Sequence, residues 1–519
     1  MNPSFVFLLI FCVVGVAGQR NVLVVSPLDM GSHASSMTPF MAELAAAGYN
    51  VTLLEWNYKK DARDFGGRIE VVHISEHSNG QDEKWKQRNR ETFVGRFGGL
   101  ELVRLLPHFN AQMPSLLESR SEVVSVPSHL QLVFPSFLSI ADILKQRWDL
   151  VVVDDLFTIH GMGIAALLRH RYGVPYVLYA TTQLTAGTAV NLGLGKNLAA
   201  TPYIFGRHPD GPADLYDPQL FFHRLVNVLD SGVEVLATAG FDWSYASNAG
   251  LFGFREFSVS RFFARSSAVI ADYAQWRSPI PEKTTIKSFA SKCKTASGEL
   301  PADLRRFVED PASKGTIFVA FGTAVDWNFA PERLLGAIFG AFEQLADFRV
   351  LFVYDGPPRN TSAHVRVVRW APQLKVLAHP KTRVYVSHGG LKSTKETVCA
   401  HVPVVYLPLF FEQTYNADQA TRMGFGLALN KHTTTATEFE QAIREVADDP
   451  KYKENVRRTH AFDSDRPVDS RRLVVHAIGR VVERKALGFA DRSTEVSWAA
   501  HLFAHLFVLF SLLIFLLAK

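Results

Sequence analysis

Only three cysteines occur in 519 residues, and one, Cys12, lies in an apolar N-terminal run, leaving Cys293 and Cys399. Two thiols exclude a disulfide framework. They can pair in an oxidising compartment or stand as two buried thiols, and nothing local to either decides. No block of one charge sign is present. The 55 basic and 50 acidic residues are interspersed, so a net charge of +5 gives no footprint for nucleic acid. Metal-ligand spacing is missing as well. Asp463-Ser464-Asp465 fits Asp-x-Asp but stands just before a late helix, where capping is the expected use. Gly161-x-Gly163 and Gly193-x-Gly195 are incomplete dinucleotide fingerprints.

The long apolar runs sit at the ends. Phe5 to Ala17 is too short to span a bilayer and closes in small residues, so a signal peptide is expected over 1–18, with Gln19 as the mature start. Val496 to Ala518 contains no Asp, Glu, Lys or Arg, and a transmembrane helix is expected over 496–518. Together these describe a single-pass type I membrane protein, lumenal apart from its last residue, with the lipid bilayer as one partner. In that compartment Asn50 and Asn360 open glycosylation sequons, and Asn360 is the better acceptor because Asn50 begins an apparent strand.

Between the ends, apolar strands alternate with helices. Val22 to Ser26 is followed by a Gly/Ser loop, a helix from Thr38 to Ala47 with Gly48 as its stop, and a strand from Val51 to Leu54. The pattern recurs at Leu150 to Val153, Ile159 to His170 and Tyr176 to Tyr179. It predicts a doubly wound parallel sheet, the α/β fold class. The stretch from Trp56 to Leu138 lacks a clear period and is expected to line an acceptor pocket of unspecified character, and Thr181 to Gly253, rich in Gly, Phe and Leu, is expected to wall a pocket that suits an apolar acceptor. A linker is expected from Arg277 to Ser297. Beyond it a second set of units begins with Thr316 to Phe321 and Val350 to Tyr354, and Gly322 and Thr323 follow the first of these strands. Thr437-x-x-Glu440 reads as a capping box, and a late helix runs from Val468 to Lys485. The domains are thus 19–284 and 285–490, both Rossmann-like.

The most informative stretch is Trp370 to Asn416, WAPQLKVLAHPKTRVYVSHGGLKSTKETVCAHVPVVYLPLFFEQTYN. At Ser387-His388-Gly389-Gly390 a β-branched run ends and a helix begins. The first amides of a helix lack intrahelical partners and carry partial positive charge, which suits a pyrophosphate. His388 and Ser393 can donate beside them, Trp370 offers a flat face for a base, Glu396 can accept from ribose hydroxyls, and Glu412 and Gln413 can meet a sugar.

This stretch resembles the signature of the UDP-glycosyltransferase family. The resemblance implies the GT-B architecture, two domains facing a cleft. It implies that Trp370 stacks on uracil, that Gln373 and Glu396 hold the ribose, that His388, Gly389, Gly390 and Ser393 meet the phosphates with Gly322 and Thr323 beside them, and that Glu412 and Gln413 read the sugar. It departs from the family pattern at Glu412, usually Asp, at His401, usually Gly, and at Lys392, usually small or polar and here taken as a solvated charge. Residence in the endoplasmic reticulum membrane is likewise implied by resemblance.

On the amino-terminal side, His33 lies in Gly31-Ser32-His33 after the first strand, and Asp154 ends another strand, with Asp155 adjacent. A histidine whose far nitrogen is held by a carboxylate is a general base in one tautomer. The resemblance implies those roles for His33 and Asp154. The expected reaction is inverting transfer of glucose or glucuronic acid from a UDP-sugar to a hydroxyl of a small lipophilic acceptor. No cofactor is expected, and no metal, fixed dipoles taking that role. A degenerate binder of hydrophobic ligands and a nucleotide-sugar epimerase stay open as alternatives, as do the pairing of the two cysteines and the oligomeric state, a homo-oligomer included.

Overall fold

The computed structural model describes residues 19–27, 31–57, 64–75, 90, 93, 140–156, 158–194, 216–249, 257–273, 285–289, 293, 298–323, 325–486 and 504–517. The expected signal peptide, most of 56–138 and most of the expected linker lie outside these residues, as does 195–215 of the second pocket stretch.

Two all-parallel sheets carry the chain. The first has seven strands, β1 (Asn21–Val25), β2 (Asn50–Asn57), β3 (Glu70–Ser75), β4 (Leu150–Asp154), β5 (Tyr176–Ala180), β6 (Ala268–Ala271) and β7 (Ile286–Ser288). They lie in the order β3-β2-β1-β4-β5-β6-β7. The second has six, β8 (Thr316–Ala320), β9 (Arg349–Val353), β10 (Val365–Val368), β11 (Thr382–Ser387), β12 (Val404–Tyr406) and β13 (Gly426–Ala428), in the order β10-β9-β8-β11-β12-β13. Val-rich strands covered on both faces account for the near-continuous apolar runs in the sequence. Every residue of β4, β5, β6 and β8 is buried. Helices pack on both faces. Gly161 brings the helix Ile159–Tyr172 hard onto the first sheet, since a Cβ there would meet Val153 and Val25 side chains at 3.0 and 3.1 Å.

The division expected between 284 and 285 falls just before β7, which closes the first sheet by pairing with β6. The late helix, Ser470–Arg484, also returns to that sheet. Its Val474, Ala477, Ile478 and Val481 are buried with Val22, Val24, Leu150 and Val152, and Arg471 reaches Glu43 at 2.6 Å.

Two local expectations change, and the open question of the two cysteines is answered. The capping box is Thr435 with Glu438, because the helix starts at Ala436, while Glu440 turns to Arg444 one turn later. Asp463 and Asp465 end the helix Pro450–Ser464 and cap nothing ahead of them; Asp469 caps the late helix by accepting from the Arg471 N–H at 3.0 Å. Cys293 and Cys399 form a disulfide, tying the approach to the second sheet to the last turn of the helix Leu391–Ala400. Near the C-terminus the described apolar helix is Ala504–Leu517, 14 residues, about 21 Å of rise against the ~30 Å of a bilayer core. Among the described residues no helix is long and apolar enough to cross a membrane; the rest of 496–518 lies outside them.

Candidate functional site

Each sheet reverses its strand order once near its middle, between β1 and β4 and between β8 and β11. Ligands bind outside the carboxyl ends of strands at such switch points. The sequence-derived residues fall at both.

His33 follows β1 in the first turn of the helix Gly31–Ala46, rather than in a loop. The helix begins seven residues ahead of the expected Thr38 and carries Pro39 in its interior. His33 Nδ1 is 3.0 Å from Asp154 Oδ2 and 2.6 Å from Thr181 Oγ1, and the Thr181 hydroxyl donates to Asp154 Oδ2 at 3.1 Å. The Leu156 N–H donates to Asp154 Oδ1 at 2.9 Å. With Asp154 fully buried and accepting on both oxygens, Nδ1 carries the proton and Nε2 keeps its lone pair. Burial pushes the His33 pKa down; the Asp154 charge and hydrogen bond, with the charge of Glu412, outweigh it against the opposition of Lys392, and the net value lies above the ordinary 6.5.

Two residues of the second domain enter that balance. Lys392, expected as a solvated charge, is half-buried, and its charge opposes protonation of His33. Glu412 stands at the N-cap position of the helix Gln413–Arg422 without capping it. The residue before it, Phe411, holds φ +52, a costly conformation for a bulky side chain. Phe411 packs against a small cluster of Ala186, Val235 and Tyr415 that spans both domains.

Asp155 behaves differently from its neighbour. It is 2% exposed, and neither carboxyl oxygen has a hydrogen-bond partner among the described residues. Burial, then the charge of Asp154, push its pKa well above the carboxylate range. The ambiguity between the two aspartates therefore resolves to Asp154, since successive strand residues face opposite ways.

In the second domain, β11 leads through His388 into the helix Leu391–Ala400. The imidazole lies between Gly322 and Gly390, where added Cβ atoms would come within 3.1 and 2.6 Å of His388 Nε2. Gly389 has φ +91, and a Cβ there would sit 2.8 Å from Gln413 O; the Asn416 amide donates to Gly389 O at 2.6 Å. The glycines thus make room for His388 and the following helix as well as for a ligand. Burial lowers the His388 pKa to about 4, so the ring is neutral with one N–H to donate. Thr323, beside Gly322, is exposed.

Gln373 and Glu396 are brought together as expected, Gln373 Nε2 donating to Glu396 Oε2 at 2.5 Å while the Tyr385 hydroxyl meets Gln373 Oε1 at 3.3 Å. Trp370 is 72% exposed, an uncovered aromatic plate. Ser393 is buried rather than lying open. Gln413 Oε1 accepts from the Leu409 and Phe410 N–H groups at 2.9 and 3.1 Å, which leaves only its NH2 for a ligand. Among the described residues no group of three or more His, Cys, Asp or Glu is placed to hold a metal ion.

Sequence reasoning missed Thr181, the third member of the His33 and Asp154 cluster. Thr181 immediately follows β5, and only the strand order, with β5 next to β4, brings it to the cluster.

Two parallel α/β domains, one offering a carboxylate-held imidazole and the other a glycine-lined helix start at their switch points, define a nucleotide-sugar-dependent glycosyltransferase of GT-B architecture. The same fold is seen in the UDP-glucose: anthocyanidin 3-O-glucosyltransferase solved in complex with UDP, with a TM-score of 0.57 and 15% identity over 90% of this chain and 99% of that one. The family described as UDP-glucoronosyl and UDP-glucosyl transferase matches residues 21–501, and the chain belongs to it. Similar relatives include human UDP-glucuronosyltransferase 2A3, 25% identical over 517 residues with 96% of this chain and 90% of the relative covered. Another is human 2-hydroxyacylsphingosine 1-beta-galactosyltransferase, 24% identical over 468 residues with 89% and 80% covered. The chain is a UDP-dependent glycosyltransferase.

Proposed function

We propose that the enzyme transfers glucose or glucuronic acid from its UDP-sugar to a hydroxyl of a small lipophilic acceptor, inverting the anomeric centre. His33 Nε2 takes the acceptor proton as the oxygen attacks the anomeric carbon. Asp154 and Thr181 hold the ring in the required tautomer and stabilise the imidazolium that forms. UDP leaves toward the start of the helix Leu391–Ala400, where amides, the His388 N–H and the Lys392 ammonium meet its charge without a metal or other cofactor. Trp370 carries the uracil and the pair Gln373 and Glu396 carries the ribose. The observation that carries this reading is the His33–Asp154 hydrogen bond of 3.0 Å, acted on by the charges of Glu412 and Lys392 of the other domain.

The lipophilic acceptor is supported by the sphingosine acceptor in the name of one relative. The Cys293–Cys399 disulfide supports an oxidising compartment, in keeping with a lumenal enzyme anchored in the endoplasmic reticulum membrane. Asn360 is exposed and available for glycosylation, whereas Asn50 Nδ2 is engaged with Asn21 Oδ1 at 3.1 Å.

Solubilised full-length enzyme, offered UDP-glucose and UDP-glucuronic acid with phenolic and steroid-like acceptors, is expected to release UDP only when donor and acceptor are both present. Absence of UDP release with every acceptor in the panel would defeat the reading in favour of a binding module. Sugar interconversion without acceptor would favour an epimerase.

Two further outcomes are expected. Trp370→Ala weakens UDP binding about 10- to 100-fold by calorimetry, the worth of one stacked base, with an unchanged melting temperature because the ring is exposed. Glu412→Gln moves the acid limb of the pH–rate profile to lower pH and Lys392→Ala moves it higher, following the signs of their charges on His33.

A further inference from the structure

The helix Leu391–Ala400 has three working faces. Thr394, Thr397 and Val398 are buried in the second domain. Glu396 turns to Gln373. Leu391 and Lys395, four residues apart, lie one above the other on a third face, and both engage the first domain. Leu391 packs on the core cluster containing Val151, Val153 and Leu178. Lys395 Nζ lies 3.2 Å from Asp272 Oδ1, with side chains 24% and 8% exposed.

Asp272 directly follows β6, its N–H donating to Ala180 O at 2.9 Å. Its charge acts on the buried Tyr179 hydroxyl, and burial together with that charge keeps Tyr179 protonated well above its ordinary range. Tyr179 pairs in register with Asp154 across β5 and β4. Its hydroxyl lies 3.4 Å from Ser36 O, three residues along the helix from His33. A continuous set of contacts therefore runs from the helix that would hold the diphosphate to the elements that hold the base.

We infer that Lys395 and Asp272 are positioning residues for glycosyl transfer: their ion pair fixes the helix Leu391–Ala400 over the first sheet and so sets the separation between His33 and the sugar. The inference rests on the reading of His33 as the base. Neither residue touches the reacting atoms. A displacement of ~1 Å between reacting groups can cost about 10²-fold in rate, and a buried carboxylate left without its cation is costly enough to shift the domains apart.

The test uses full-length solubilised enzyme with Lys395→Gln, Lys395→Arg and Asp272→Asn. Lys395→Gln is expected to lower kcat about 10- to 100-fold with UDP affinity changed less than about 2-fold, and Lys395→Arg, which keeps the charge, to restore most of the rate. Asp272→Asn follows Lys395→Gln, and the double variant is no worse than either single one. Wild-type kcat in Lys395→Gln, or loss of UDP binding in step with kcat, would overturn the inference. Should the wild type transfer no sugar at all, the reading of His33 fails instead, and small-angle scattering then judges the pair. A larger radius of gyration for Lys395→Gln than for wild type supports the clamp, and an unchanged radius refutes it.

Discussion

Replacing His33 with alanine is expected to lower glycosyl transfer by about 10²- to 10⁴-fold, the range of general-base contributions, while UDP still binds as it does to the wild type. The separation follows from the layout. His33 belongs to the first domain, and the second domain acts on it through the charges of Glu412 and Lys392. The pH profile provides a second check. The working base is the neutral ring, and its pKa lies above 6.5, so activity falls as pH drops through a midpoint on the alkaline side of that value. Asp154→Asn removes the largest upward influence and leaves burial and the charge of Lys392 opposed by Glu412 alone. The acid limb then moves to lower pH even as the rate falls, because a fixed tautomer is lost. Retained turnover in His33→Ala would remove the histidine from the mechanism.

The second large effect is expected at Gly389. Alanine there must adopt φ +91 and place its Cβ 2.8 Å from Gln413 O, so backbone has to move against backbone. The outcome is a loss of stability on the order of 1–3 kcal/mol, seen as a lower melting temperature, together with UDP affinity falling beyond detection. Gly390→Ala presses on the His388 ring, 2.6 Å away, which a side chain can partly relieve. Its expected signature is weaker UDP binding with stability largely kept. Equal stability losses in the two variants would show that the glycines serve packing alone.

Much of this arrangement was legible in the residue pattern, for identifiable reasons. Strands buried on both faces advertise themselves as Val-rich runs, so the two parallel sheets and their switch points could be placed. His388, Gly389 and Gly390 could be read because a strand–turn–helix junction has one obvious chemistry. What the pattern concealed depends on neighbours distant in sequence. Thr181 joins His33 only because β5 lies beside β4. Lys392 looked solvated because the base its charge acts on lies in the other domain. Gln413 looked like a sugar reader, yet its carbonyl oxygen is consumed by the loop of Leu409 and Phe410. At His401, where the family usually has glycine, the chain is left-handed with φ +56, so the family's preference has a backbone cause. Here the imidazole Nε2 finds His460 Nδ1 at 3.0 Å.

The return of Ser470–Arg484 to the first sheet bears on how this protein can be dissected. Val474, Ile478 and Val481 cover the same apolar face as Val22, Val24 and Leu150. An amino-terminal half expressed to residue 289 would therefore present an uncovered greasy surface to solvent and aggregate. Chimaeras that exchange halves between relatives should carry the closing helix with the amino-terminal partner, since by packing it is that half's last element although the gene writes it after the other.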